Sequence, residues 1–292
     1  MRTTRAWATA AICLAGAWAF WGCSRSDDRS GAAGGSQMIT VKGSDTMVHL
    51  ASAWAEAYMK QHPKVQIAVT GGGSGTGIAA IINGTTDICT ASRKIEEEEL
   101  KQAAENQVQP KEFVAALDGI AVVVNPANPV NELTMEQLRK IYIGVYTNWN
   151  EVGGSDERIV LLSRETSSGT YVFFQEHVLQ KNDYAQTARL MPATSAIVQE
   201  VSSSKGAIGY VGLGYAAEAG DKIKAMKIKA QDDRPAVEPL VETVVSGEYP
   251  ISRPLNLYTR GEPTGEVKAF IDFCLSADGR KIVTETGFVP AK

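Results

Sequence analysis

Histidine is scarce in this chain, and the common catalytic signatures are missing. Of 292 residues only three are histidine, and His49, His62 and His177 fit no metal-ligand spacing. There is no G-x-S-x-G elbow, since the residue two beyond Ser74 is Thr76. The glycine run Gly71-Gly72-Gly73-Ser74-Gly75-Thr76-Gly77 has no Gly-Lys-Ser/Thr after it and fits no G-x-G-x-x-G spacing, so neither a P-loop nor a dinucleotide fingerprint is present. No repeat of solenoid period appears. Nothing marks a carboxylate pair for glycoside hydrolysis. Enzyme readings therefore fare poorly, and no cofactor or metal is implied.

Cysteine is also sparse, with four in the chain. Cys13 lies in the first apolar stretch, and Cys23 directly follows it. Cys89 and Cys274 remain, either as a disulfide of an exported protein or as two buried thiols. Basic residues are outnumbered, giving a net charge of −4. That balance argues against nucleic acid and against nonspecific adhesion to acidic lipid. It leaves a small anion open, because a pocket acts through local dipoles rather than net charge.

The N-terminus reads as an export signal. Arg2 and Arg5 precede an apolar stretch from Ala6 to Gly22 that contains Trp7, Trp18, Phe20 and Trp21. This predicts a signal peptide over 1–22, although about 17 apolar residues also reach the lower limit for a retained membrane anchor. Gly22-Cys23-Ser24 is placed like the lipidation site of bacterial lipoproteins, with Phe20 and Trp21 departing from the usual small and aliphatic residues. Residues 23–37 then form a Ser, Gly, Ala, Asp and Arg tether. Cleavage before Cys23 leaves 27 basic against 33 acidic residues, a net charge of −6.

The remainder is long enough for two domains and has ordinary globular composition, 44% hydrophobic and 21% charged. Strand and helix signals alternate. Strands are predicted at 38–42, 65–69 and 87–91, with helices at 47–58, 78–83 and 96–105 between and after them. The apolar run 113–124 follows and is the natural crossover between domains. A second set has helices at 134–142, 168–179 and 195–204 and strands at 159–163 and 207–211. A strand at 255–258 and two C-terminal helices complete the chain. The pattern favours parallel sheets with helices on both faces.

Four short runs carry the chemistry. They are Gly43-Ser44-Asp45-Thr46, the glycine run, Ala91-Ser92-Arg93, and Arg164-Glu165-Thr166-Ser167-Ser168-Gly169-Thr170. Each leads from a strand toward a helix, at the sheet edge where ligands bind in α/β folds. Helix starts offer unpaired N–H groups and a positive dipole end. Gly admits close backbone approach, Ser and Thr add hydroxyl donors, and Arg presents a donor fork matched to a tetrahedral oxyanion. Taken singly, Ser44 or Asp45 serves as a helix cap, the glycine run as a connecting loop, and Arg93 as a partner of Glu96–Glu99. Their shared placement favours one anion site.

These runs, together with Met47, Asp87-Ile88, Asp118-Gly119-Ile120-Ala121, Asn148-Trp149, Gly153-Gly154 and Gly206-Ala207-Ile208-Gly209-Tyr210, resemble the phosphate-binding proteins of bacterial ABC transporters over about residues 38 to 290. The resemblance implies an α/β, two-lobed periplasmic-binding-protein fold of type II, each lobe a mostly parallel sheet flanked by helices, with the ligand in the interlobe cleft. It implies lobe I over 38–117, lobe II over 118–215 and a return to lobe I over 216–292. It also implies a non-enzymatic, monomeric, lipid-anchored receptor in the cell envelope that hands inorganic phosphate to an inner-membrane permease. Anion contacts fall on Thr46, Ser74, Arg164, Ser168, Gly169 and Thr170, with the Met47 amide close by. Ser44, Asp45, Thr76, Ser92, Arg93 and Asp118 complete the candidate site. One departure matters: a longer branch has an aspartate, the proton acceptor of hydrogen phosphate, where this chain has Arg93. Asp45 first, then Asp118, or a backbone carbonyl, are the expected replacements. The alternatives are a receptor for sulfate, molybdate or tungstate, and a secreted phosphatase-like enzyme on the same fold.

Overall fold

Short β-branched runs followed by helical spacing dictate an alternating chain, and the computed structural model, which describes residues 37–291, has that order. The expected signal peptide, Cys23 and the tether up to residue 36 lie outside the described residues. The first set comprises β1 (Gln37–Gly43), α1 (Val48–Gln61), β2 (Val65–Thr70), α2 (Ser74–Ile82), β3 (Ile88–Ala91), α3 (Glu97–Glu105) and β4 (Lys111–Val124). Next come β5 (Glu132–Thr134), α4 (Met135–Tyr142), β6 (Val160–Arg164), α5 (Gly169–His177), β7 (Arg189–Met191), α6 (Thr194–Ser203), β8 (Ala207–Gly212) and α7 (Leu213–Ala219). The chain ends with β9 (Lys224–Ala225), β10 (Lys227–Lys229), α8 (Val241–Val245), β11 (Ser252–Thr259), α9 (Gly265–Leu275), α10 (Ala277–Glu285) and β12 (Val289–Pro290).

The main sheet runs β2-β1-β3-β11-β4-β8-β6-β7. Its two ends are parallel, β2-β1-β3 on one side and β8-β6-β7 on the other, joined through antiparallel β11 and β4. β4 is the spine. Lys111–Gly119 pairs with β11, and Ile120–Val124 pairs with β8. Seven buried residues close that strand, so both faces are covered, as a near-continuous apolar run requires.

Apolar packing falls into two halves. Ile39, Leu50, Trp54, Tyr58, Leu255, Phe270 and Phe288 share a core on one face of the first half, and Ile78, Ile81 and Val108 another beneath α2 and α3. In the second half, Ile120, Leu138, Tyr142, Phe174 and Tyr210 pack together, while Ile197, Val201 and Val211 fill the opposite face. Met226, Ile228, Val244, Tyr249 and Ile251 also belong to the second half, and Tyr249 Oη donates to the Ile120 carbonyl at 2.8 Å. Cys89 and Cys274 are separate buried thiols, and burial pushes both above the ordinary thiol value.

Candidate functional site: a hydroxyl cluster between the halves

The ends of β1, β2, β3 and β6 all open toward one another, as expected for the carboxyl edge of parallel strands. Ser44 Oγ donates to Ser92 Oγ at 3.0 Å. Ser74 Oγ accepts from the Ser92 amide at 3.0 Å and lies 3.3 Å from Ser92 Oγ. Thr46 Oγ1 meets Thr170 Oγ1 at 3.0 Å, joining the first half to the second. Ser168 caps α5, its Oγ accepting from the Thr170 and Tyr171 amides. Ser44, Thr46, Ser74, Ser92, Ser168 and Thr170 are all buried. Six hydroxyls converging in one buried place is a polar investment that a plain core does not make.

Two glycines let the halves approach. A Cβ on Gly169 would lie 2.3 Å from Ser74 Oγ and 2.8 Å from Ser92 Oγ. Gly73 has φ +97°, and a Cβ there would stand 2.5 Å from the Ser167 carbonyl oxygen. Alongside, the Gly75 amide donates to that oxygen at 2.9 Å. The N-termini of α2 and α5 thus face each other, concentrating positive dipole ends.

The charged residues around the cluster are held by partners from both halves. Arg164 donates through Nε to the Met191 carbonyl at 3.2 Å, through Nη1 to Thr194 Oγ1 at 2.7 Å, and through Nη2 to the Pro192 carbonyl at 3.0 Å. Its Nη2 also bonds Asp45 Oδ2, an ion pair linking the halves. Asp45 Oδ1 accepts from the Gly72 amide at 2.9 Å, and Tyr215 Oη donates to the Asp45 carbonyl at 2.9 Å. Arg93 turns to Glu99 in a two-pronged pair with both bonds at 2.7 Å. Burial opposes its charge, but Glu99 outweighs burial and holds it above the ordinary value. Thr76 is exposed, and its hydroxyl donates to the Gly72 and Gly73 carbonyls at 2.7 Å. The Met47 amide is bonded to the Ser44 carbonyl at 3.0 Å. Arg93, the Thr76 hydroxyl and the Met47 amide are thus each bonded within the protein.

Arg253 is the residue the sequence pattern misses. It is buried beside Asp118, with Nε and Nη2 donating to Asp118 Oδ2 at 3.2 and 3.0 Å and Nη2 reaching Thr46 Oγ1 at 3.3 Å. Asp118 Oδ1 accepts from the Leu213 amide at 3.0 Å. Burial raises the Asp118 carboxyl, against the pull of Arg253 and that amide. Burial also lowers Arg253, but guanidinium basicity keeps it charged. The available signal was the Ser252-Arg253 pair, which repeats Ser92-Arg93, two residues before an apolar strand predicted from Leu255, but with no glycine run or helix start after it.

Chemically the cluster is a set of hydroxyls that can turn their protons toward an anion. The hydroxyls bond one another, and among the described residues no group of three or more His, Cys, Asp or Glu could hold a metal. Such a site can grip a tetrahedral oxyanion without activating a nucleophile.

A family model for the PBP superfamily domain matches residues 29–278. The phosphate-binding protein PstS of Bacillus subtilis is 34% identical over 271 residues, covering 91% of this chain and 85% of the relative. PstS of Staphylococcus haemolyticus is 37% identical over 254 residues, 85% and 79% of the two chains. A Clostridium perfringens protein assigned as a phosphate ABC transporter substrate-binding protein, solved with bound phosphate, superposes with a TM-score of 0.80 at 34% identity, covering 88% of this chain and all of that one. An ABC-type phosphate transport receptor from Vibrio cholerae gives a TM-score of 0.69 at 32% identity, covering 87% and 100%.

Proposed function

Because the chain belongs to the PBP superfamily and to its phosphate-binding proteins, we propose that it captures one inorganic phosphate between its halves and delivers it to the permease of an ABC transporter. It is a binding protein, not an enzyme. The observation that carries the reading is the buried cluster of six hydroxyls drawn from both halves, with two helix N-termini facing each other around it. Ser44, Thr46, Ser74, Ser92, Ser168, Gly169 and Thr170 form the cage. Arg164 and Asp45 clasp the halves beside it. The lobes are 38–117 with 252–291, and 118–251, a division supported by the two cores and by the partners of β4. Phosphate bridges the lobes and favours their closed arrangement.

The test is calorimetric titration with phosphate, arsenate, sulfate and molybdate. Phosphate and arsenate should bind, with sulfate and molybdate much weaker. Preference for sulfate or molybdate would assign the site to another oxyanion. The receptor works as a monomer, held at the membrane by a lipid on Cys23, a reading supported by the leader that ends there. Cys23→Ala with intact cleavage should release a soluble, phosphate-binding protein, and a wild type already soluble after cell fractionation would refute the anchor.

A further inference from the structure

Among the described residues three buried side-chain atoms lack a hydrogen-bond partner, namely Arg93 Nε, Arg253 Nη1 and Asn256 Oδ1. Folded proteins leave few such atoms, since each loses its water without gaining a partner. Two of the three come from β11, which is irregular between Leu255 and Asn256. Strict alternation is broken there, and Arg253 bonds into the cluster while Asn256 bonds beside it. Arg253 Nη2 meets Thr46 Oγ1, while Asn256 Nδ2 donates to the carbonyl of Arg93, next to Ser92, at 3.4 Å. A carbonyl can only accept, so the Asn256 amide is oriented with Oδ1 turned away from it. Arg253 and Asn256 are 2% and 0% exposed.

The two unpaired atoms on β11 are one charged donor and one neutral acceptor. Monohydrogen phosphate has charged oxygens and one O–H, and sulfate at the same pH has no proton to donate. The two aspartates are poorly placed for that proton. Asp45 already accepts from Gly72 and Arg164, and Asp118 from Arg253 and Leu213. Arg164 donates to protein acceptors from all three of its nitrogens, whereas Arg253 keeps Nη1.

Resting on the phosphate reading above, we propose that Arg253 supplies the buried charge facing the anion through Nη1. Asn256 Oδ1 accepts the phosphate proton and so sets the preference over sulfate. Toward sulfate the same Oδ1 meets only lone pairs and repels it. Selection then comes from an amide oxygen rather than a carboxylate.

Phosphate and sulfate affinities of the full chain, measured by calorimetry, decide the matter. Asn256→Ala should weaken phosphate about 10- to 100-fold, the worth of one hydrogen bond to a charged group, and leave sulfate unchanged or stronger. Asn256→Asp restores an acceptor and should recover the preference for phosphate over sulfate. Arg253→Lys keeps a charge opposite Asp118 but lacks Nη1, and should weaken phosphate at least about tenfold. A phosphate-to-sulfate ratio held within threefold in Asn256→Ala overturns the assignment of Asn256. Should that variant not fold, unchanged phosphate affinity in Arg253→Lys overturns the proposal. Wild type that fails to prefer phosphate would instead refute the functional reading itself.

Discussion

Replacing Gly169 with alanine puts a methyl group where the other half of the protein already stands. The added Cβ would lie 2.3 Å from Ser74 Oγ and 2.8 Å from both Ser74 Cβ and Ser92 Oγ. Ser74 is fully buried at the start of α2, and its Oγ already bonds the Ser92 amide, so it cannot simply swing aside. Overpacking of this kind costs about 1–3 kcal/mol. Gly169 is the first residue of α5 and its φ is not in the left-handed region, so alanine suits the backbone itself. The penalty therefore falls on the arrangement in which α2 and α5 meet, and separated lobes escape it.

A penalty confined to the closed state appears directly in the apparent affinity, here as a loss of about 5- to 150-fold. Calorimetry measures it, and small-angle scattering with saturating phosphate reads whether compaction is retained. The melting temperature without ligand should fall less than the affinity implies. Gly261→Ala is the control, because its Cβ would meet nothing within 4 Å. Phosphate affinity within twofold of wild type, with compaction intact, would refute closure onto Gly169.

Arg164→Ala removes the ion pair to Asp45 and the bond to Thr194, and should weaken phosphate by about 2–5 kcal/mol, since a desolvated charge is left unpaired. A calorimetric change of only a few tenths would remove Arg164 from the binding machinery. At alkaline pH, Tyr58 should make the fold labile. Burial first, then the hydrogen bond to Glu266 at 3.0 Å, push its phenol from 10.0 up to about 12. The native protein holds a proton that the unfolded chain releases, so this stability is complete below pH 10 and lost as pH climbs to about 12. Thermal melts across that range should decline less steeply in Tyr58→Phe, and parallel declines would discount the phenol.

Much of the fold was legible because its long elements bury one face or two. The spacing of Leu50, Ala51, Trp54, Ala55 and Tyr58 marks α1, and all five are buried. The apolar run around 113–124 marks β4, whose two ends pair with different strands. The strand β5, the strand β7 and the helix α8 were not legible. Glu132–Thr134 is three residues long and takes its form from parallel pairing with β10, almost a hundred residues away in the chain. α7 opens with Leu213-Gly214, and glycine lowers helix propensity by about 1 kcal/mol, so its helix depends on packing against β4 and β8 rather than on local preference.

The site divides along the same line. Hydroxyls at strand-to-helix junctions were legible because the junction is local, and sheet topology alone carries four such junctions to one edge. Charge partners were not, because an arginine chooses among carboxylates by three-dimensional distance. Arg93 takes Glu99 from its own neighbourhood, as nearness in sequence suggests, whereas Asp45 takes Arg164 from the other half. The Asp118–Arg253 pair joins residues 135 apart in sequence, and it exists because β11 lies antiparallel on β4 with Arg253 opposite Asp118 in register. Burying such a pair is expensive unless further bonds satisfy it. Thr46 Oγ1 and the Leu213 amide supply two, and one guanidinium nitrogen is left over. An unsatisfied donor on a charge this deep costs stability with no structural return. It is consistent with a fold whose most favourable state includes an anion bound against that donor.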